Sequence, residues 1–164
     1  MADVGQQAPN FSLVAADGRQ VALHDLLRQG PVVLVFYRGH WCPFCRRQLA
    51  KLQGNLERIR KRGASLVAVS IDERSLVRRL ADELGLGFVL LSDPDSSAID
   101  AYGVRNRLLG VKSGIPHPSV FIIDGQGIVR FREVRHNYRR RTTPHRMLRA
   151  LDEVVGEQGA VSSL

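Results

Sequence analysis

Positions 31–37 are apolar without interruption, the pattern of a strand buried on both faces. Beyond them the period changes: Leu49, Leu52, Leu56 and Ile59 recur at steps of three and four, which predicts one amphipathic helix ending near Arg62 and Gly63. Residues 65–71 read as a second buried strand, and Leu76, Val77, Leu80, Ala81 and Leu84 mark a helix stopped by Gly85. Residues 88–91 give a third strand, 96–102 a short helix ended by Gly103, and 119–123 a fourth strand. The turn Asp124-Gly125-Gln126-Gly127 leads from that strand to an antiparallel partner at 128–134.

The two ends complete the pattern. Residues 11–14, the Asp17-Gly18 turn and residues 21–23 predict a small hairpin, followed by an amphipathic turn at 25–27. The last helix opens with Thr143 as N-cap and Pro144 in its first turn, and places Met147, Leu148, Leu151, Val154 and Val155 on one face. Strands and helices that alternate in this way predict an α/β fold. Its central mixed sheet is flanked by helices and carries an N-terminal β-hairpin extension. The expected organisation is one domain over residues 1–164, a length sufficient for a two- or three-layer core.

Charge alters this picture only locally. The net charge of +8 comes from 21 Arg against 3 Lys, and the densest stretch runs from Arg130 to Arg149. A nucleic-acid surface would interleave stacking aromatics, yet only Tyr138 stands there, and no helix-turn-helix, zinc-finger or RNA-recognition pattern accompanies the arginines. The stretch therefore reads as a solvated face, with Arg146 and Arg149 opposite the apolar side of the last helix. The first residues lack a basic and apolar leader, and the apolar runs fall far short of the roughly 18 residues a membrane span needs. The expected location is the cytoplasm, with no membrane partner.

Candidate chemistry resides in the only two cysteines, Cys42 and Cys45, where the strand pattern gives way to the helical one. Two cysteines placed at random in a chain this long would fall three apart only about 1% of the time, so the spacing is itself a signal. In a reducing cytosol such a pair is catalytic or redox-sensing rather than structural, and closing so short a loop would give little entropic stabilisation. The reactive form of cysteine is the thiolate. A helix N-terminus favours it through unpaired N–H groups and the helix dipole, and Arg38, Arg46 and Arg47 are positioned to add to the field. Pro43 suits the first helical turn, where its missing N–H has no intrahelical partner.

The two sulfurs differ in expected placement. Cys45 continues the stripe of Leu49, Leu52, Leu56 and Ile59 and should face inward. Cys42 should lie at the outer rim, within reach of a large disulfide substrate. Trp41 is expected to shield the dithiol and shape partner docking, and Arg38 either steadies a thiolate or pairs with Asp72. No metal is expected, because beyond the sulfurs the nearby ligand types are only His40 and His117. The glycines form no phosphate loop, so no nucleotide cofactor is expected either.

Several segments in order carry a resemblance: residues 5–13 (GQQAPNFSL), 32–37 (VVLVFY), 69–72 (VSID), 90–95 (LLSDPD), 101–104 (AYGV) and 121–125 (FIIDG). Together they resemble the thioredoxin fold, and within it the alkyl hydroperoxide reductase and thiol-specific antioxidant branch, the peroxiredoxins. In that branch the site reads Pro, then Thr or Ser four residues later, then the peroxidatic Cys three beyond; here these positions hold Arg38, Cys42 and Cys45. The family's active-site Arg, which would stand shortly before Phe121, gives way to His117-Pro118-Ser119-Val120. Pro118 looks like the cis-proline that faces the dithiol in thioredoxins. The sequence is thus similar to peroxiredoxin-like proteins with a thioredoxin-style C-x-x-C.

The resemblance implies a thiol peroxidase in which Cys45 attacks hydrogen peroxide or an organic hydroperoxide, Cys42 resolves the sulfenic acid, and a thioredoxin-type reductant recharges the disulfide. A protein disulfide oxidoreductase with Cys42 as nucleophile is the alternative, and a non-catalytic redox sensor on the same fold is a third reading. The partners expected are a hydroperoxide or disulfide and the reductant, with a homodimer left open.

Overall fold

The uninterrupted apolar run becomes β3 (Val32–Phe36), all five of whose residues are buried. We describe the chain from a computed structural model covering residues 2–110 and 113–162, of which 157–162 are described by backbone alone. β3 pairs in parallel with β4 (Ser65–Ser70), and β4 in parallel with β5 (Val89–Ser92). On its other side β3 pairs antiparallel with β6 (Ser119–Ile123), which pairs antiparallel with β7 (Val129–Val134). The hairpin of β1 (Ser12–Ala15) and β2 (Gln20–Ala22) adds antiparallel to the free edge of β5. The sheet order is β2-β1-β5-β4-β3-β6-β7, the mixed sheet with a hairpin extension that the pattern predicts.

The period-2 geometry of β3 divides the core in two. Val33 and Val35 face a layer built by α2 (Pro43–Gly54), α3 (Leu56–Lys61), α4 (Arg74–Leu84) and α6 (Pro144–Ser162). Val32, Leu34 and Phe36 face the opposite layer, formed with α1 (Leu23–Leu27), α5 (Ser97–Ala101) and the N-terminal segment. Leu49 and Leu52 on α2 are fully buried, each contributing roughly 1.5–3 kcal/mol of transfer free energy. Gly85 ends α4 in the left-handed conformation at φ 61°, a geometry that costs an L side chain steric strain. The Thr143 hydroxyl accepts from the Arg146 N–H at 3.2 Å, as expected of an N-cap.

The single helix expected between the cysteines and Gly63 is two. Asn55 leaves helical geometry at φ −110°, ψ 5°, ending α2 and opening α3. Its side-chain amide donates to the Lys51 carbonyl at 2.8 Å, and this competes with the backbone ladder. Leu49, Leu52, Leu56 and Ile59 remain buried across the break, which is why apolar spacing alone does not show it.

Candidate active site

The site lies beyond the carboxyl end of β3, the usual location for ligands in sheets of this kind. After Phe36, Tyr37 is still tied to the sheet, its N–H donating to the Val69 carbonyl at 3.0 Å. The chain then turns through Arg38–Trp41 into α2. His40 fixes this turn: its N–H donates to Asp72 Oδ2 at 2.8 Å, and its Nδ1 lies 3.2 Å from Asp72 Oδ1. Asp72 is thereby committed to His40 and leaves Arg38 free of the pairing considered from sequence. Arg46 closes the other side of the turn by donating to the His40 carbonyl at 2.9 Å while pairing with Glu83 at 2.6 Å. Arg47 lies over the Phe44 ring. Of the three arginines expected to add to the thiolate's field, Arg46 and Arg47 are therefore engaged elsewhere.

Cys42 is the N-cap of α2, with extended backbone (φ −87°, ψ 115°) and Pro43 following in the first turn. Its Sγ accepts from the Cys45 N–H at 3.4 Å, in the place where a serine or threonine hydroxyl ordinarily caps a helix. Cys45 Sγ accepts from the Arg38 N–H, also at 3.4 Å. Cys45 faces the core as predicted, at 0% exposure. Cys42 departs from the rim position expected of it and is 1% exposed. The reason is Arg141.

Arg141 reaches back from the segment between β7 and α6, and its Nη2 donates to Cys45 Sγ at 3.2 Å and to Cys42 Sγ at 3.5 Å. Its Nη1 is held by the carbonyls of Tyr138 and Arg140, so the guanidinium is fixed with one amino group pointing at the sulfurs. The solvated-face reading of the 130–149 stretch holds for Arg130, paired with Asp124, and for Arg146, paired with Glu133. It fails at Arg141. Sequence reasoning missed this residue because nothing in its local pattern distinguishes it from its neighbours. The missing family arginine before Phe121 was the available clue that another would supply the charge.

Burial opposes a thiolate at Cys42 but is outweighed by hydrogen bonds from the Cys45 thiol and the Cys45 N–H and by the charges of Arg141 and Arg38, so its pKa falls. Burial and the neighbouring Cys42 sulfur push the Cys45 thiol up, against the pull of Arg141. Of the two thiols Cys42 is thus the more readily ionised, with the Cys45 thiol as its hydrogen-bond donor. A thiol with a depressed pKa keeps its reactivity as pH falls until pH passes that pKa, whereas a raised one loses it already at higher pH. We expect iodoacetamide to label Cys42 before Cys45 at neutral pH and the Cys42 rate to persist to lower pH, as read by peptide mass spectrometry. Labelling of Cys45 first would refute this charge distribution.

Arg38 and Trp41 belong to the turn that leads into Cys42. The Arg38 guanidinium stacks between the Trp41 ring at 4.9 Å and the Tyr138 ring at 4.8 Å. Trp41 is 49% exposed, so it borders the dithiol more than it covers it. Pro118 is buried at the start of β6, but the chain contains no cis peptide among the described residues, which corrects the cis-proline expectation. The flanking backbone is pinned in this trans form, with His117 N–H donating to the Val104 carbonyl at 2.7 Å and Arg135 N–H to the Pro118 carbonyl at 2.8 Å. His117 packs against His136 at 4.5 Å between ring centres. Burial, His136 and Arg38 all push its pKa down.

Comparison with known proteins bears on the family and the fold. The profile of the AhpC/TSA family matches residues 4–132. Peroxiredoxin Bcp of Escherichia coli is 36% identical over 126 residues, covering 75% of this chain and 80% of that protein. Chloroplastic peroxiredoxin Q of Triticum aestivum is 31% identical over 127 residues, covering 77% of this chain but only 57% of that protein's length. Among solved structures, peroxidoxin BcpB of Mycobacterium tuberculosis superposes with a TM-score of 0.79 at 23% identity, covering 98% of this chain and 99% of that one; at that identity the likeness shows the fold. No helix among the described residues is long and apolar enough to cross a membrane.

Proposed function

The chain belongs to the AhpC/TSA family, and from that premise we propose that it is a thiol peroxidase working through a Cys42/Cys45 dithiol–disulfide cycle. The observation that carries the reading is the single Arg141 amino group within hydrogen-bonding distance of both sulfurs. A cation there stabilises the resting thiolate. It also stays beside the oxygen on which charge develops as the peroxide bond breaks.

The charge distribution favours Cys42 as the attacking sulfur, the reverse of the order that the resemblance implies. In the first step the Cys42 thiolate attacks one peroxide oxygen: the S–O bond forms, the O–O bond breaks, and the departing oxygen takes a proton to leave as water or alcohol. In the second, Cys45 sulfur displaces the hydroxyl of the Cys42 sulfenic acid, giving the disulfide and water. A thioredoxin-type dithiol acting in the cytoplasm then restores both thiols. With Cys42 attacking, the disulfide oxidoreductase alternative uses the same sulfur in the same role, so the two activities differ only in what enters the site.

Stopped-flow reduction of hydrogen peroxide and of an organic hydroperoxide separates them. Peroxide is expected to consume the wild-type dithiol much faster than it consumes free cysteine. If it reacts no faster than free cysteine while the protein reduces insulin disulfides, the oxidoreductase reading replaces this one.

A further inference from the structure

A cavity of about 240 Å³ opens on the outer side of the dithiol's arginine, between α2 and the segment leading into α6. Four cations line it, Arg47, Lys51, Arg139 and Arg141, and no aspartate or glutamate does. Elsewhere arginines find acids: Arg62 with Asp152, Arg105 with Asp100 and Arg130 with Asp124. No such carboxylate partner is found for these four among the described residues. Gln48 also lines the cavity. It is 6% exposed, and its Oε1 has no hydrogen-bond partner among the described residues. A buried amide oxygen left without a donor costs about 1–3 kcal/mol. The site therefore offers several positive charges for carboxylates and one acceptor for an N–H or O–H.

We propose that this cavity binds a small thiol bearing carboxylates and an amide, and that this thiol reduces the Cys42–Cys45 disulfide alongside any protein dithiol. The inference rests on the cycling dithiol proposed above. Its placement follows from Arg141, which is at once a wall of the cavity and the neighbour of both sulfurs. Its size class follows from burial, since sulfurs no more than 1% exposed are easier for a slender reductant to reach than for a second folded protein. In the chemistry, one thiolate attacks a sulfur of the disulfide, forming a mixed disulfide and releasing the other cysteine. A second thiolate then attacks the mixed disulfide and releases the remaining cysteine. Two small thiols are oxidised to one disulfide, and both protein sulfurs are reduced.

The test starts from protein oxidised with diamide, so that it does not depend on peroxide reactivity, which is measured separately. Reduction is followed by mass for glutathione, cationic cysteamine, neutral 2-mercaptoethanol and dithiothreitol. Glutathione should show saturation and, per thiolate, exceed cysteamine at least tenfold. In the Arg47→Gln/Lys51→Gln double variant that advantage should fall about tenfold, with dithiothreitol rates unchanged. S-methylglutathione, which has no thiol, should inhibit glutathione alone. A glutathione rate linear in concentration and no greater than that of 2-mercaptoethanol would overturn the proposal, as would an advantage that survives the double substitution.

Discussion

Arg141→Gln is expected to slow peroxide reduction about 10²-fold, the usual consequence of removing one positioned donor from a site where charge develops. The loss has two parts. Without the cation Cys42 titrates at higher pH, so less thiolate is present at pH 7, and the oxygen leaving in the transition state loses its stabilising neighbour. Raising the pH restores only the first part. The variant should therefore gain more than wild type does between pH 7 and pH 9, yet stay slower at every pH. Arg141→Lys keeps the charge but cannot hold the Tyr138 and Arg140 carbonyls while reaching both sulfurs, so it should rescue the rate only partly. Unchanged peroxide kinetics in Arg141→Gln would remove the observation on which the functional reading rests.

The second large effect separates the sulfurs. Cys42→Ser should lose peroxide reduction by roughly 10³-fold or more, since the nucleophile itself is gone. Cys45→Ser should still react once, leaving a sulfenic acid with no neighbour to condense with, and should then stop. The expected signature is a single equivalent of peroxide consumed, followed by sensitivity of Cys42 to further oxidation. The Cys45→Ser rate should fall modestly, because the Cys45 thiol and N–H both donate toward Cys42 and only the thiol is removed.

Much of this arrangement is readable along the chain where local spacing determines it. The 31–37 run yields β3, the stripe from Cys45 to Ile59 yields the buried face of α2 and α3, and Gly85 yields the end of α4. The cysteine pair at the strand-to-helix junction places the site. The break at Asn55 stays hidden, because a helix can bend there without any apolar residue leaving its layer. Arg141 stays hidden for a different reason. Its role depends on a contact with Cys45 across 96 residues of sequence, and a side chain that folds back over the sulfurs carries the same local signature as one that points to water. The rim position expected of Cys42 fails by the same route, since a helix start is open to solvent only when no other segment packs over it.

The central claim is that Cys42 is the more readily ionised thiol and makes the first attack. Treating Cys42→Ser and Cys45→Ser with one equivalent of hydrogen peroxide in the presence of dimedone, then locating the adduct by mass spectrometry, tests it directly. The account predicts an adduct on Cys42 in the Cys45→Ser protein and none on Cys45 in the Cys42→Ser protein. An adduct on Cys45 in Cys42→Ser, with Cys45→Ser unmodified, would contradict it.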